Sequence, residues 1–242
     1  MYKNEYISEP MFQSAALCGP QGEMTMPMLE TQFIVAATIH ANQIGVGYDD
    51  LMKQNAAWVL VRMSIEAQRT PCINETYRVV TWIEGFNRHL SDRNFALLDV
   101  EGIPIAYGRS VWACIDIDSR RPVAINPVTC FGDRPCPIEP QPRLKSPGEE
   151  CQTFSKAFTY SDLDFNRHVN SSRYTERLLE CFPLEFHDNN RLNRLDIAYV
   201  AETQADVLCD FCVGRETAEV FNAEISVDGH ARCRARLTFV PR

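Results

Sequence analysis

The chain has 242 residues, a length between one large domain and two small ones; 45 % are hydrophobic and 23 % charged, enough to bury a core of ordinary size. A formal net charge of −8 excludes a nucleic-acid binder of the usual kind, which carries a basic surplus. The longest largely apolar run, residues 33–39, is far short of the ~20 residues that cross a bilayer, and the amino terminus has neither a signal core nor an Arg-rich leader, so a cytoplasmic protein is expected.

The first element expected is an amphipathic helix over residues 28–44. Leu29, Phe33, Ala37, His40 and Ile44 recur there at three- and four-residue intervals, and Pro27 suits a helix start. Four strands follow, at about 57–67, 77–86, 94–100 and 105–117, rich in Val, Ile, Trp, Tyr and Phe. Residues 122–150 break the pattern. They hold seven of the fourteen prolines, a density that prevents regular structure and reads as a linker.

The second half repeats the order of the first. A short strand near 153–159 leads through a polar loop to a helix at 171–181, which stops before Pro183. Strands are then expected at about 194–200, 207–213, 219–227 and 231–240. Val100-Glu101-Gly102 reappears as Val227-Asp228-Gly229, an offset of 127, and Glu75 and Asp206 are 131 apart. Near-equal offsets indicate duplication. One helix followed by several antiparallel strands, twice over, is the plan of an α+β chain of two tandem hot-dog domains, each a sheet wrapped around a central helix. The expected divisions are 1–121, a linker at 122–150, and 151–242. Such units pair, so the halves are expected to form an internal pseudo-dimer with ligand sites where they meet.

Ten cysteines at irregular spacing suggest neither disulfides nor a metal site in a chain of this size. The one close pair, Cys209 and Cys212, lies in a strand, where residues three apart point to opposite faces. All are expected to be reduced and to pack as small apolar groups. Glycine-rich phosphate loops and His-x-x-x-His helices are absent, so no metal and no cofactor are expected. Arg232, Arg234 and Arg236 alternate along one strand face, either as a solvated face or as a basic patch for an acidic partner.

The densest polar constellation is Asp162-Leu163-Asp164-Phe165-Asn166-Arg167-His168-Val169-Asn170, where the second-half loop meets its helix. A carboxylate, an amide and an imidazole at i, i+2 and i+4 converge if the loop is extended, and a helix start adds free N–H groups. These are the parts that hydrate a carbonyl: a base, an orienting group and oxyanion donors. The plainer alternative is a side-chain turn by Asp164 and Asn166 with Asn170 or Ser171 capping the helix. The corresponding stretch of the first half, Met24-Thr25-Met26-Pro27-Met28, has no such residues, which favours function over a requirement of the fold.

The string Ser161-Asp162-Leu163-Asp164-x-Asn166-x-His168-Val169-Asn170 resembles the active-site segment of the acyl-ACP thioesterases, the plant plastid family and its bacterial relatives. Lys53-x-Asn55-x-x-Trp58-Val59-x-x-Arg62-Met63, Thr81-Trp82 and Ser110-Val111-Trp112 resemble successive strands of that family, so the likeness runs over residues 28–240. It implies catalytic roles for Asp164, Asn166 and His168, and for Glu202, which stands three residues after Tyr199 as the family's Glu does. Pro71 occupies the position 131 residues before Glu202, so the fold does not require an acid there. Many plant members carry a Cys after the Glu. Thr203 stands here instead, which implies direct attack by water rather than a Cys-His covalent route.

The resemblance implies hydrolysis of fatty acyl-acyl carrier protein to free fatty acid, with acyl carrier protein as partner and neither nucleic acid nor membrane. Asp164 and Glu202 would hold and deprotonate water directly or through His168, Asn166 would orient it, and a backbone N–H near the helix start would take the oxyanion. An acyl-CoA thioesterase and a non-catalytic acyl-binding protein are the rivals. The chain is expected to act as a monomeric pseudo-dimer or as a homodimer. His40 is read as a core histidine or as lining an acyl tunnel, and the tryptophans as core.

Overall fold

In the computed structural model residues 4–87, 89–124, 134–148 and 151–242 are described, and the chain divides into two compact units, Met1–Pro140 and Gln141–Arg242. Residues 125–133, 149 and 150 of the expected linker lie outside the described residues.

The first unit comprises β1 (Glu5–Ile7), β2 (Met11–Phe12), α1 (Met26–Gln43), α2 (Tyr48–Met52), β3 (Ala56–Ala67), β4 (Thr76–Phe86), β5 (Leu90–Leu98) and β6 (Pro104–Asp116). Its long strands pair antiparallel in the order β4-β5-β6-β3, with β1 and β2 added along β4. Thr25 caps α1 by accepting from Met28 N–H, with Pro27 in the first turn. The expected stripe is buried throughout: Leu29, Phe33, Ala37, His40 and Ile44 all lie in the core. Phe33 stacks on Phe95 of β5 with ring centroids 4.8 Å apart. That approach requires Gly108 on β6, where a Cβ would come within 2.7 Å of the Phe33 ring.

His40 is a core histidine with a partner: buried Arg93 lies 2.9 Å from its Nδ1 and donates to Thr81 Oγ1. Burial pulls the Arg93 guanidinium down to about 9, which leaves it charged at neutral pH. A charged guanidinium only donates, so His40 Nδ1 is the acceptor. The three tryptophans direct their indole N–H groups to acceptors within the unit: Val46 O, Arg134 O and Ser110 Oγ.

The second unit comprises β7 (Gln152–Ala157), α3 (Ser171–Leu179), α4 (Leu184–Asn189), β8 (Asn190–Tyr199), β9 (Leu208–Arg215), β10 (Val220–Val227) and β11 (His230–Pro241). Its order, β8-β11-β10-β9-β7, is that of the first unit read from β3: β8, β9, β10 and β11 stand where β3, β4, β5 and β6 stand, and β7 lies along β9 as β1 lies along β4. Each unit is thus a hot-dog. The repeated Val-acid-Gly turns are the matching hairpins β5/β6 and β10/β11, and both glycines, Gly102 and Gly229, adopt the positive φ that favours glycine. Tyr174 of α3 packs on Phe158 and Tyr199, tying the helix to its sheet.

Several expectations are corrected. Cys151 and Cys212 form a disulfide with Cα atoms 5.9 Å apart, because β7 pairs with β9 and brings Cys151 diagonally opposite Cys212, a proximity that spacing along the chain does not reveal. Cys209 is free and buried, on the opposite face of β9. The basic strand face is largely neutralised: Arg234 pairs with Glu224 at 2.6 Å and Arg236 with Glu216 at 3.5 Å. The short elements β1, β2, α2 and α4 were not expected, since two to six residues carry too little periodicity to read. Residues 134–140 pack on the first unit, where Arg134 covers the Trp82 ring and Arg109 donates to Ile138 O. Residues 141–148 lie along the second, where Gln141 donates to Ile197 O and Ser146 to Glu224. Among the described residues no helix is long and apolar enough to cross a membrane.

Candidate active site

Asp162 is the foundation of the polar loop rather than part of its chemistry. Its carboxylate is buried, caps Thr159 N–H and pairs with Arg177 of α3 at 2.9 Å. Burial alone would raise its carboxyl. The hydrogen bonds from Thr159 and Arg177 and the Arg177 charge outweigh that and hold it below the usual carboxylate range.

Asp164 shapes the loop from within. Its Oδ1 accepts from Asn166 N–H at 2.9 Å and His168 N–H at 3.1 Å, while its own N–H donates to His168 O. The loop closes through Arg167 in the left-handed region at φ 63°. This is the side-chain turn of the plainer reading, and Asn170 makes the expected cap by accepting from Ser172 N–H. Asn166 lies on the exposed rim of the loop.

His168 is turned the other way. Its Nε2 lies 3.5 Å from Glu202 Oε2, long for a hydrogen bond but within reach of one on a small movement, and the two side chains are 27 % and 40 % exposed. Glu202 sits in the loop after β8, held by two sets of backbone bonds. Val200 and Ala201 N–H both donate to Arg232 O on β11, and Val169 N–H donates to Thr203 O. The segment carrying Glu202 is therefore stitched both to the neighbouring strand and to the loop carrying His168.

His168, Glu202, Thr203, Gln204, Val207, Val227 and Arg232 line a half-open cavity of about 410 Å³. Of the four residues singled out from sequence, the structure brings His168 and Glu202 together on this cavity; Asp164 and Asn166 are not among its lining residues, Asp164 organising the loop and Asn166 being exposed on it. Thr203 is almost fully buried, and its Oγ1 has no well-formed hydrogen bond, although it lies close to the Tyr174 hydroxyl. Arg232 was legible in sequence only as one of three alternating arginines. Its place beside Glu202 depends on the β8–β11 pairing. Among the described residues no cluster of His, Cys, Asp or Glu is arranged to hold a metal.

Two hot-dog units in one chain, with an imidazole–carboxylate pair on a cavity of the second, define the class of double hot-dog proteins. The models of the acyl-ACP thioesterase N-terminal and C-terminal domains match residues 16–130 and 149–241. This chain belongs to the acyl-ACP thioesterase family. It is 33 % identical to an acyl-ACP thioesterase of Bacteroides thetaiotaomicron, whose crystal structure superposes with a TM-score of 0.92 over 98 % of each chain. The 12:0-ACP thioesterase of Umbellularia californica shares the fold at a TM-score of 0.88, 18 % identity and coverage of 100 % of this chain and 99 % of that one. A chloroplastic palmitoyl-acyl carrier protein thioesterase of Gossypium hirsutum is 26 % identical over 69 % of this chain. The chain spans 44 % of that relative's length.

Proposed function

We propose that this chain hydrolyses the thioester of fatty acyl-acyl carrier protein, releasing free fatty acid and ending chain elongation in fatty acid synthesis, in the cytoplasm. The observation that carries the reading is the pairing of His168 with Glu202 on one cavity, in a chain of this family. A thioester carbonyl needs an activated water and a proton for the departing thiolate. Glu202 is the carboxylate beside the imidazole, whereas Asp164 Oδ1 is already taken by two N–H groups. Glu202 therefore takes the proton from water, His168 returns a proton to the thiolate sulfur, and Asp164 holds His168 in position through its backbone. Asn166, exposed on the same loop as His168, orients the incoming thioester. Thr203 in place of a cysteine leaves no thiol there to form an acyl-enzyme, so water attacks directly.

The test is fatty acid release from acyl carrier proteins bearing medium and long chains, with His168→Ala and Glu202→Gln as controls. Release by the native chain that falls by about 10²–10⁴ in both controls is expected for loss of an acid–base group. Undiminished release in both would sink the assignment of the site. No release from any acyl carrier protein, with acyl binding intact, would make this a binding protein.

A further inference from the structure

We infer that Arg232 is a catalytic residue of this site: its guanidinium donates to the thioester oxygen as that oxygen becomes an oxyanion. The inference rests on the thioesterase reading above. Water attack forms a bond from water oxygen to the carbonyl carbon and moves the C=O π pair onto oxygen. When the pair returns, the C–S bond breaks, the thiolate takes a proton, and a carboxylate is left. Both the intermediate and the product place negative charge on that oxygen, and donors must meet it there.

Of the donors expected from sequence, the N–H groups at the helix start, all but one in the run 166–173 are already in use. Those of Asn166 and His168 donate to Asp164 Oδ1, and that of Arg167 to Asp164 O. Those of Val169 and Asn170 donate to Thr203 O and Asp162 O. Those of Ser172 and Arg173 donate to Asn170. Ser171 N–H alone in the run 166–173 has no such acceptor.

Arg232, by contrast, lines the cavity with His168 and Glu202; its Nε is buried away from solvent, so the other guanidinium nitrogens are the ones available to a ligand there. Its neighbours along β11, Arg234 and Arg236, are neutralised by Glu224 and Glu216. A guanidinium stays charged at any working pH, so the cavity holds a fixed cation beside its acid–base pair. Its backbone is placed as firmly as its charge, since Arg232 O accepts the N–H groups of Val200 and Ala201, next to Glu202.

The experiment is steady-state hydrolysis of acyl-acyl carrier protein by the native chain, Arg232→Gln, Arg232→Lys and Ser171→Pro, the last removing the competing N–H at a helix position that tolerates proline. Arg232→Gln is expected to lower kcat by about 10²–10³ with KM moved by no more than a few-fold, and Arg232→Lys to recover part of the loss. Inhibition by free fatty acid should weaken in Arg232→Gln, a change that simple loosening of the fold would not produce on its own. If Arg232→Gln does not fold, the kcat and product inhibition of Arg232→Lys decide in its place, unchanged values overturning the inference. A KM rise with kcat intact would reassign Arg232 to substrate docking and overturn it, as would a kcat loss in Ser171→Pro that Arg232→Gln lacks. No hydrolysis by the native chain would instead overturn the thioesterase reading itself.

Discussion

Asp164 and Asp162 stand two residues apart and do different work. Asp164 Oδ1 accepts two N–H groups of the loop, a task that an asparagine oxygen at the same position also performs. Asp164→Asn should therefore keep much more of kcat than Asp164→Ala. Equal losses in a side-by-side assay would mean that the charge itself enters the chemistry. Asp162 is a stability residue. Asp162→Asn breaks its buried pair with Arg177 and leaves that guanidinium only Glu180, at an expected cost of about 1.5–3 kcal/mol. The folded-state carboxyl of Asp162 is held below the unfolded value of roughly 3.9, so the stabilisation is present above that pH and is lost as pH falls through the depressed folded value. Chemical denaturation of native chain and variant should differ most at neutral pH and converge in acid. A gap that widened toward low pH would contradict the assignment.

At the level of elements, the two halves obey one plan but achieve their packing differently. In the first, α1 comes close enough to the sheet for Phe33 to lie over Gly108 and against Phe95. Gly108→Ala would drive a methyl into a buried ring, and overpacking of this kind costs about 1–3 kcal/mol, which a thermal melt would show as a lowered Tm. An unchanged Tm would mean that the helix can retreat from β6. In the second unit α3 is short and polar at its start, because Asn170 and the loop before it carry the site instead of lengthening the helix. The long strands and both helices were legible from periodicity and turn residues. Strand ends shifted by several residues, as at β8, which begins at Asn190 instead of near Arg194 because Asn190, Arg191 and Leu192 also pair with β11 in a mostly polar stretch. Hydrogen bonding across a sheet continues where the hydrophobic pattern stops.

For the molecule as a whole, a net charge of −8 gives no general attraction for an anionic partner, and two of the three arginines once considered for docking are neutralised on their own strand face. Discrimination between donors must then come from shape and local contacts, not from the overall field. On the thioesterase reading, kcat/KM for acyl-acyl carrier protein should exceed that for the matching acyl-CoA by about tenfold or more, a difference of about 1.4 kcal/mol. Equal values would remove carrier protein as the preferred donor.

The sequence by itself determined the duplication, the order of helix and strands in each copy, and the asymmetry that put the polar loop in the second. These are properties of neighbours along a chain, where helix periodicity, strand alternation and turn residues act over a few positions. It also named His168 and Glu202, one from a local cluster and one from resemblance. Tertiary structure decided what each polar group meets, because that depends on partners far away in sequence. The β7–β9 pairing joined Cys151 to Cys212, and the β8–β11 pairing brought Arg232 to Glu202. The loop's own hydrogen bonds turned Asp164 inward to the backbone while leaving His168 facing the cavity.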